Sequence, residues 1–237
     1  MYRWHIQVSS NDSQLLSYLQ TAIEDSPHKL LVENGYYYLV SSSFEPYQFP
    51  AEVQELYACA DRIIARLNGL LKLKFQVQCG IFKTTPVVYV DDTGLQHLIV
   101  LETIQIKDEI RGYAGDNFFQ HAARQLPDFL TKWLVEGNDP LVDEVLDNFI
   151  DQVNWNSLYN IYRLIESDVK ERAFKSWTLG WGSRFTLTAN NFKANHLARH
   201  SSVESHGELP AKFQAMDLSE AAAHIVSLIT QWLQNKD

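Results

Sequence analysis

The chain has 237 residues, of which 46% are hydrophobic and 21% charged, so it can bury one large core or two modest ones without covalent staples. Its 29 acids outnumber its 20 bases, which excludes a broad basic face that coats nucleic acid, so any phosphate contact must be local. Nine acids and nine bases follow residue 150, so the net excess of nine acids lies entirely in the first 150 residues.

Taken in chain order, "YRWHIQV" alternates large and polar side chains and predicts a strand, and "NDSQLLSYLQTAIED" predicts a capped helix. "HKLLVENGYYYLVSSS" predicts a hairpin around Asn34-Gly35, because only residues tolerant of positive φ fit a two-residue turn. After Pro50, "AEVQELYACADRIIARLNGLL" sets Val53, Leu56, Ala60, Ile63, Ile64 and Leu67 on one helical stripe, and Gly69 is expected to cap the end of that helix. "KFQVQCGIF", "PVVYV" and "LQHLIVLETIQI" are rich in branched and aromatic residues and predict a three-stranded antiparallel meander, with "DDTG" as an ordinary solvated turn.

From Asp116 onward the periodicity is helical: "NFFQHAARQLPDFLTKWLVEG", "DPLVDEVLDNFIDQV", "WNSLYNIYRLIESDV", a less regular stretch to about His200, and "DLSEAAAHIVSLITQWLQ". "LGWGSRF", inside that less regular stretch, is expected to be a turn with aromatic packing. Trp155, Tyr159, Tyr162 and Glu166 recur on one helix face. The last helix has Asp217 as N-cap and Glu220 three residues on, buries Leu218, Ala222, Ile225, Ile229 and Trp232, and leaves His224 solvated. The fold class is therefore α+β: an N-terminal antiparallel sheet with two helices over residues 1–115, then a C-terminal helical bundle over residues 116–237.

Cys59 and Cys79 form no CxxC pair and are expected to be buried thiols. No signal-peptide core and no membrane-length apolar run is visible, so a soluble, cytoplasmic protein with no membrane partner is expected. GxGxxG, Walker-type and GxSxG patterns are missing, which leaves nucleotide-driven chemistry without support.

"HLARHSSVESH" holds three of the eight histidines. His196, His200 and His206 have the histidine spacing of the HExxHxxGxxH zinc pattern, but Leu197 stands at the general-base glutamate and Val203 at the glycine. A non-catalytic metal site on these three histidines, with Glu204 or Glu208 as a further ligand, is one reading. A second takes Arg199 and His206: histidine titrates near neutrality and can move a ribose hydroxyl proton, while a guanidinium fork suits phosphate oxygens. A third is that the bundle is a non-catalytic interaction or dimerisation unit and the histidines are loop residues.

Arg199 and His206 in "RHSSVESH", preceded by several helices and followed by an amphipathic one, resemble the motif of HEPN domains, an arginine and a histidine four to six residues apart in a small helical bundle. The resemblance runs from about residue 139 to 237. It implies a metal-independent endoribonuclease or an RNA-binding relative that needs no cofactor, with RNA as partner, His206 as acid or base, Arg199 as phosphate clamp, and two motifs meeting across a homodimer. His200, Asn195 and Asn190 are candidates to position RNA or orient His206, and Glu166 is a candidate partner for Arg199. The N-terminal part is expected to sense, to select substrate or to bind a protein partner.

Overall fold

The computed structural model describes residues 3–10, 12–75, 81–99, 132–133, 139–150, 153–171, 182–191 and 209–236. The chain divides into two compact units, Met1–Asp139 and Pro140–Asp237. The architecture is α+β, with an antiparallel sheet and two helices in the first unit and helices in the second. The boundary expected between residues 115 and 116 lies outside the described residues.

In the first unit, β1 (Trp4–Ser10), β2 (His28–Glu33), β3 (Tyr36–Ser41), β4 (Ile81–Val90) and β5 (Gln96–Ile99) form a sheet of order β2-β3-β1-β4-β5. All its described pairings are antiparallel. The hairpin at Asn34-Gly35 is as expected: φ is +52° at Asn34 and +83° at Gly35, the conformation a type I′ turn demands. β2 and β3 pair without a register shift from His28↔Ser41 to Glu33↔Tyr36.

Helices α1 (Ser13–Ala22) and α2 (Val53–Phe75) cover one face of this sheet. Asp12 caps α1 by accepting from the Gln14 N–H at 2.8 Å, which satisfies one orphan donor of the first turn. Val8 pairs with Lys83, whose ammonium lies 2.7 Å from Asp61 on α2, so Val8 and its alternates Ile6 and Trp4 point at the helices. The six-residue stripe of α2 is buried as its spacing requires.

Two expectations are corrected here. Gly69 does not end α2; the helix runs on to Phe75, because Leu70, Leu71 and Leu73 continue the buried face and outweigh the cost of about 1 kcal/mol for a glycine inside a helix. The three-stranded meander is, in the described residues, one hairpin: Lys74 and Phe75 belong to α2, and Ile81 and Phe82 open the same strand that carries "PVVYV". That strand is bulged. Ile6 faces Val87 and Val8 faces Lys83, so Thr84, Thr85 and Pro86 stand opposite Gln7 alone, where Pro86 has no N–H to donate.

Asn68 ties α2 to the start of β4. Its side-chain amide donates to the Ile81 carbonyl at 2.9 Å and accepts from the Ile81 N–H at 2.8 Å, which replaces a neighbouring strand for that residue. Across the far end of the sheet, Trp4, Tyr89 and His97 form a row of cross-strand neighbours, and Phe49 lies over it, 5.1 Å from Tyr89 and 5.7 Å from His97. The Asp91 side chain organises the β4–β5 turn. It accepts from Thr93 N–H and Oγ1 and from the Leu95 N–H, and its other oxygen lies 2.9 Å from His97 Nε2. The turn aspartate is thus an organising group and not a merely solvated one.

In the second unit, α3 (Pro140–Ile150), α4 (Trp155–Glu171), α5 (Gly182–Asn190) and α6 (Leu218–Asn235) are the described helices, and α4 packs against the other three. Asn154 caps α4 by accepting from the Asn156 and Ser157 N–H groups, and Ser157 Oγ accepts from the Asn154 N–H in return. The tail of "LGWGSRF" is the first turn of α5 and not a turn between elements: Phe185, Thr188 and Ala189 are buried at spacings of three and one, which gives the segment a helical apolar face.

Candidate functional site

Helices α4, α5 and α6 meet at Phe185. This ring is fully buried, and Tyr162 (5.5 Å), His224 (5.8 Å), Trp155 (6.2 Å) and Tyr159 (6.4 Å) surround it. Trp155, Tyr159, Tyr162 and Glu166 do share one face of α4, as their spacing requires.

His224 is not solvated. It is half-buried against Phe185, because it lies three residues after buried Ala221 and four before buried Leu228, at the border of the apolar face of α6. That face consists of Ala221, Ile225, Leu228, Ile229, Trp232 and Leu233, whereas Leu218 and Ala222 are only partly covered. Burial holds the His224 imidazole below its ordinary pKa, and nearby Glu220 opposes this only in part, so the ring is neutral at neutral pH.

Asp217 caps α6 as expected, accepting from the Glu220 N–H at 2.7 Å. Glu220 does not complete a capping box, because its carboxylate takes the fork of Arg184 on α5. Arg184 also donates to the Gln214 carbonyl at 2.8 Å, and Thr188 Oγ1 accepts from the Met216 N–H at 3.1 Å, so the stretch before α6 is fastened to α5.

Glu166 is the acid of the aromatic face. Its carboxylate takes Arg163 at 2.6 Å and Lys170 at 3.1 Å, one helical turn to either side, and lies 3.4 Å from the Tyr162 hydroxyl. Burial and this carboxylate push the Tyr162 phenol up to about 12, so it stays protonated. The expected candidate partner of Glu166, Arg199, lies outside the described residues, as do His206, His200, His196 and Asn195. Asn190 ends α5, and its side-chain oxygen is buried without a hydrogen-bond partner among the described residues. No group of three or more histidine, cysteine or acidic side chains able to hold a metal occurs among the described residues.

A second buried polar cluster joins α4 to the end of α6. Asp168 accepts from Trp232 Nε1 at 2.8 Å and lies 3.3 Å from the Lys236 ammonium, which sits 4.5 Å from the centre of the Trp232 ring and is 1% exposed. Sequence reasoning missed this cluster and the Phe185 hub, since both join residues dozens of positions apart. Cys59 is buried, as expected, and Cys79 lies outside the described residues. No described helix is long and apolar enough to cross a membrane. No protein-family model, curated protein or solved structure matches this chain.

Proposed function

We propose that the helical unit acts on RNA as a HEPN-like, metal-independent endoribonuclease or an RNA-binding relative. The observation that carries this reading is the pairing of Arg199 and His206, with six residues between them, in the stretch that joins α5 to a capped, amphipathic α6. In this reading His206 takes the proton of a ribose 2′-hydroxyl as that oxygen attacks the adjacent phosphorus, the bond from phosphorus to the 5′-oxygen breaks to leave a 2′,3′-cyclic phosphate, the departing 5′-oxygen takes a proton from water, and Arg199 balances the charge that builds on the phosphate oxygens. Asn195, His200 and Asn190 position the substrate or orient His206. The site is completed by a second copy of the motif in a homodimer.

The second reading, a non-catalytic docking or dimerisation bundle, draws on the ion pairs. Every described cation on α4, α5 and the end of α6 faces a carboxylate of the same unit: Arg163 and Lys170 with Glu166, Arg184 with Glu220, and Lys236 with Asp168.

Incubating a mixed RNA pool in EDTA with wild type, Arg199→Ala and His206→Ala separates the two readings, with folding checked by circular dichroism. Cleavage by wild type that both folded variants lose is the expected result. An intact pool with wild type at high enzyme concentration removes the nuclease reading and leaves RNA binding to be measured directly.

A further inference from the structure

Independently of the RNA reading, we infer that β2 is a dimerisation edge, at which two copies of this chain pair antiparallel about a two-fold axis at Leu31 and join their sheets.

The backbone groups of β2 point alternately toward β3 and away from the sheet. A two-residue hairpin loop closes on a hydrogen-bonded pair, here Glu33↔Tyr36, so Glu33, Leu31 and Lys29 direct their N–H and C=O groups at β3. The groups of His28, Leu30 and Val32 then point away from the sheet. His28 bears this out, since its N–H donates to Ser26 Oγ at 3.1 Å and its carbonyl accepts from the same hydroxyl at 2.5 Å. Ser26 thereby closes the first position of the edge. The outward groups of Leu30 and Val32 have no partner among the described residues, and β2 is the terminal strand of the described sheet.

An open edge of this kind is a template for another strand, and natural sheets blunt it with prolines, bulges or charges. β2 has neither proline nor bulge, and beside its open stretch stand exposed apolar groups, Val32 at 47% and Tyr36 at 55%. Its two charges, Lys29 and Glu33, have opposite sign and stand symmetrically about Leu31.

That symmetry selects the occupant and the register. With Leu31 opposite Leu31 of a second copy, Leu30 of each protomer faces Val32 of the other in a hydrogen-bonded pair. Four hydrogen bonds then use every outward group of Leu30 and Val32 on both chains. Lys29 of each protomer stands opposite Glu33 of the other in a non-hydrogen-bonded pair, where side chains approach most closely. Moving the register two residues either way sets Val32 against His28, whose groups Ser26 already holds, or Leu30 against the Asn34 turn. Either shift also separates the opposite charges. Among the described residues Lys29 has no ionic partner, and Glu33 has one carboxylate oxygen 3.5 Å from His5 Nδ1 and the other without an ionic partner.

The test is sedimentation equilibrium of the full chain over about 1–200 µM, a range suited to one strand pair. Wild type is expected to be a dimer that dissociates on dilution. Lys29→Glu and Glu33→Lys each set like charges opposite one another twice per dimer and weaken it about ten- to hundredfold. An equimolar mixture of the two variants restores opposite charges in the heterodimer and with them the association. Amide exchange at Leu30 and Val32 slows as the wild-type concentration rises. A wild type that is monomeric throughout overturns the inference. So do charge reversals that leave the dimer unchanged, or a mixture that stays as weak as its parts although both variants give the wild-type circular dichroism spectrum.

Discussion

Replacing Asp168 by asparagine tests whether the buried cluster at the end of α6 holds the bundle together through charge. The substitution keeps the shape and an acceptor for Trp232 Nε1, but leaves the 1% exposed Lys236 ammonium without the carboxylate 3.3 Å away. Taking one partner out of an ion pair at such depth costs about 3–5 kcal/mol, a large share of a total stability on the order of 5–15 kcal/mol. Asp168→Ala also strands the indole N–H and adds about 1–3 kcal/mol. Asp168→Asn with Lys236→Met removes both charges, keeps an acceptor for the indole N–H and is expected to stay within about 1 kcal/mol of wild type, because the attraction lost is offset by two ions that need no longer be desolvated. The assay is guanidinium unfolding followed by far-ultraviolet circular dichroism and tryptophan emission. A loss below about 0.5 kcal/mol in Asp168→Asn, or a double variant as unstable as the single one, refutes the argument.

Phe185→Ala removes the ring on which α4, α5 and α6 converge and should cost about 3–5 kcal/mol in the same unfolding assay. His224 is held neutral by burial, so its folded pKa lies below its unfolded one. Its contribution is complete above the unfolded value of about 6.5 and is lost as pH falls toward the folded pKa, and His224→Phe should flatten the fall in thermal midpoint between about pH 7 and 5. The Asp91 carboxyl is held well below the usual range by hydrogen bonds from Thr93 and His97, so the turn should keep its amide-exchange protection at Leu95 until the pH drops far below about 4, whereas Asp91→Ala should lose it at every pH.

The parts of the fold legible in the sequence are those fixed by local chemistry. Asn34-Gly35 admits one kind of turn, Asp12 and Asp217 can each accept from the turn that follows, and the six-residue stripe of α2 repeats at helical spacing. Local signals failed where tertiary burial competed with them. Gly69 has the composition of a helix end, yet the leucines after it have a sheet to pack on, and Gly182 opens a helix because Phe185 has three rings and an imidazole to meet. Of the candidate site, Glu166 illustrates the limit. Its partners Arg163 and Lys170 stand at helical spacings of three and four, whereas the candidate partner expected from the sequence was the distant Arg199. The Arg184–Glu220 and Asp168–Lys236 pairs leave no periodic trace at all, since nothing local specifies which carboxylate a distant cation will find.

The bridge from Asn68 to Ile81 also makes this protein a recorder of its own ageing. An asparagine followed by glycine loses its side-chain amide when the glycine nitrogen can swing onto the side-chain carbonyl, and both Asn34-Gly35 and Asn68-Gly69 have that sequence. The first sits in a surface turn, where the reaction proceeds at the pace of the folded state. The second is buried inside α2 with its amide engaged at both ends, so it reacts only in molecules that have opened. The aspartate so formed has no N–H to offer the Ile81 carbonyl, and a chain that unfolds once and reacts there returns with that carbonyl, at the first residue of β4, unanswered.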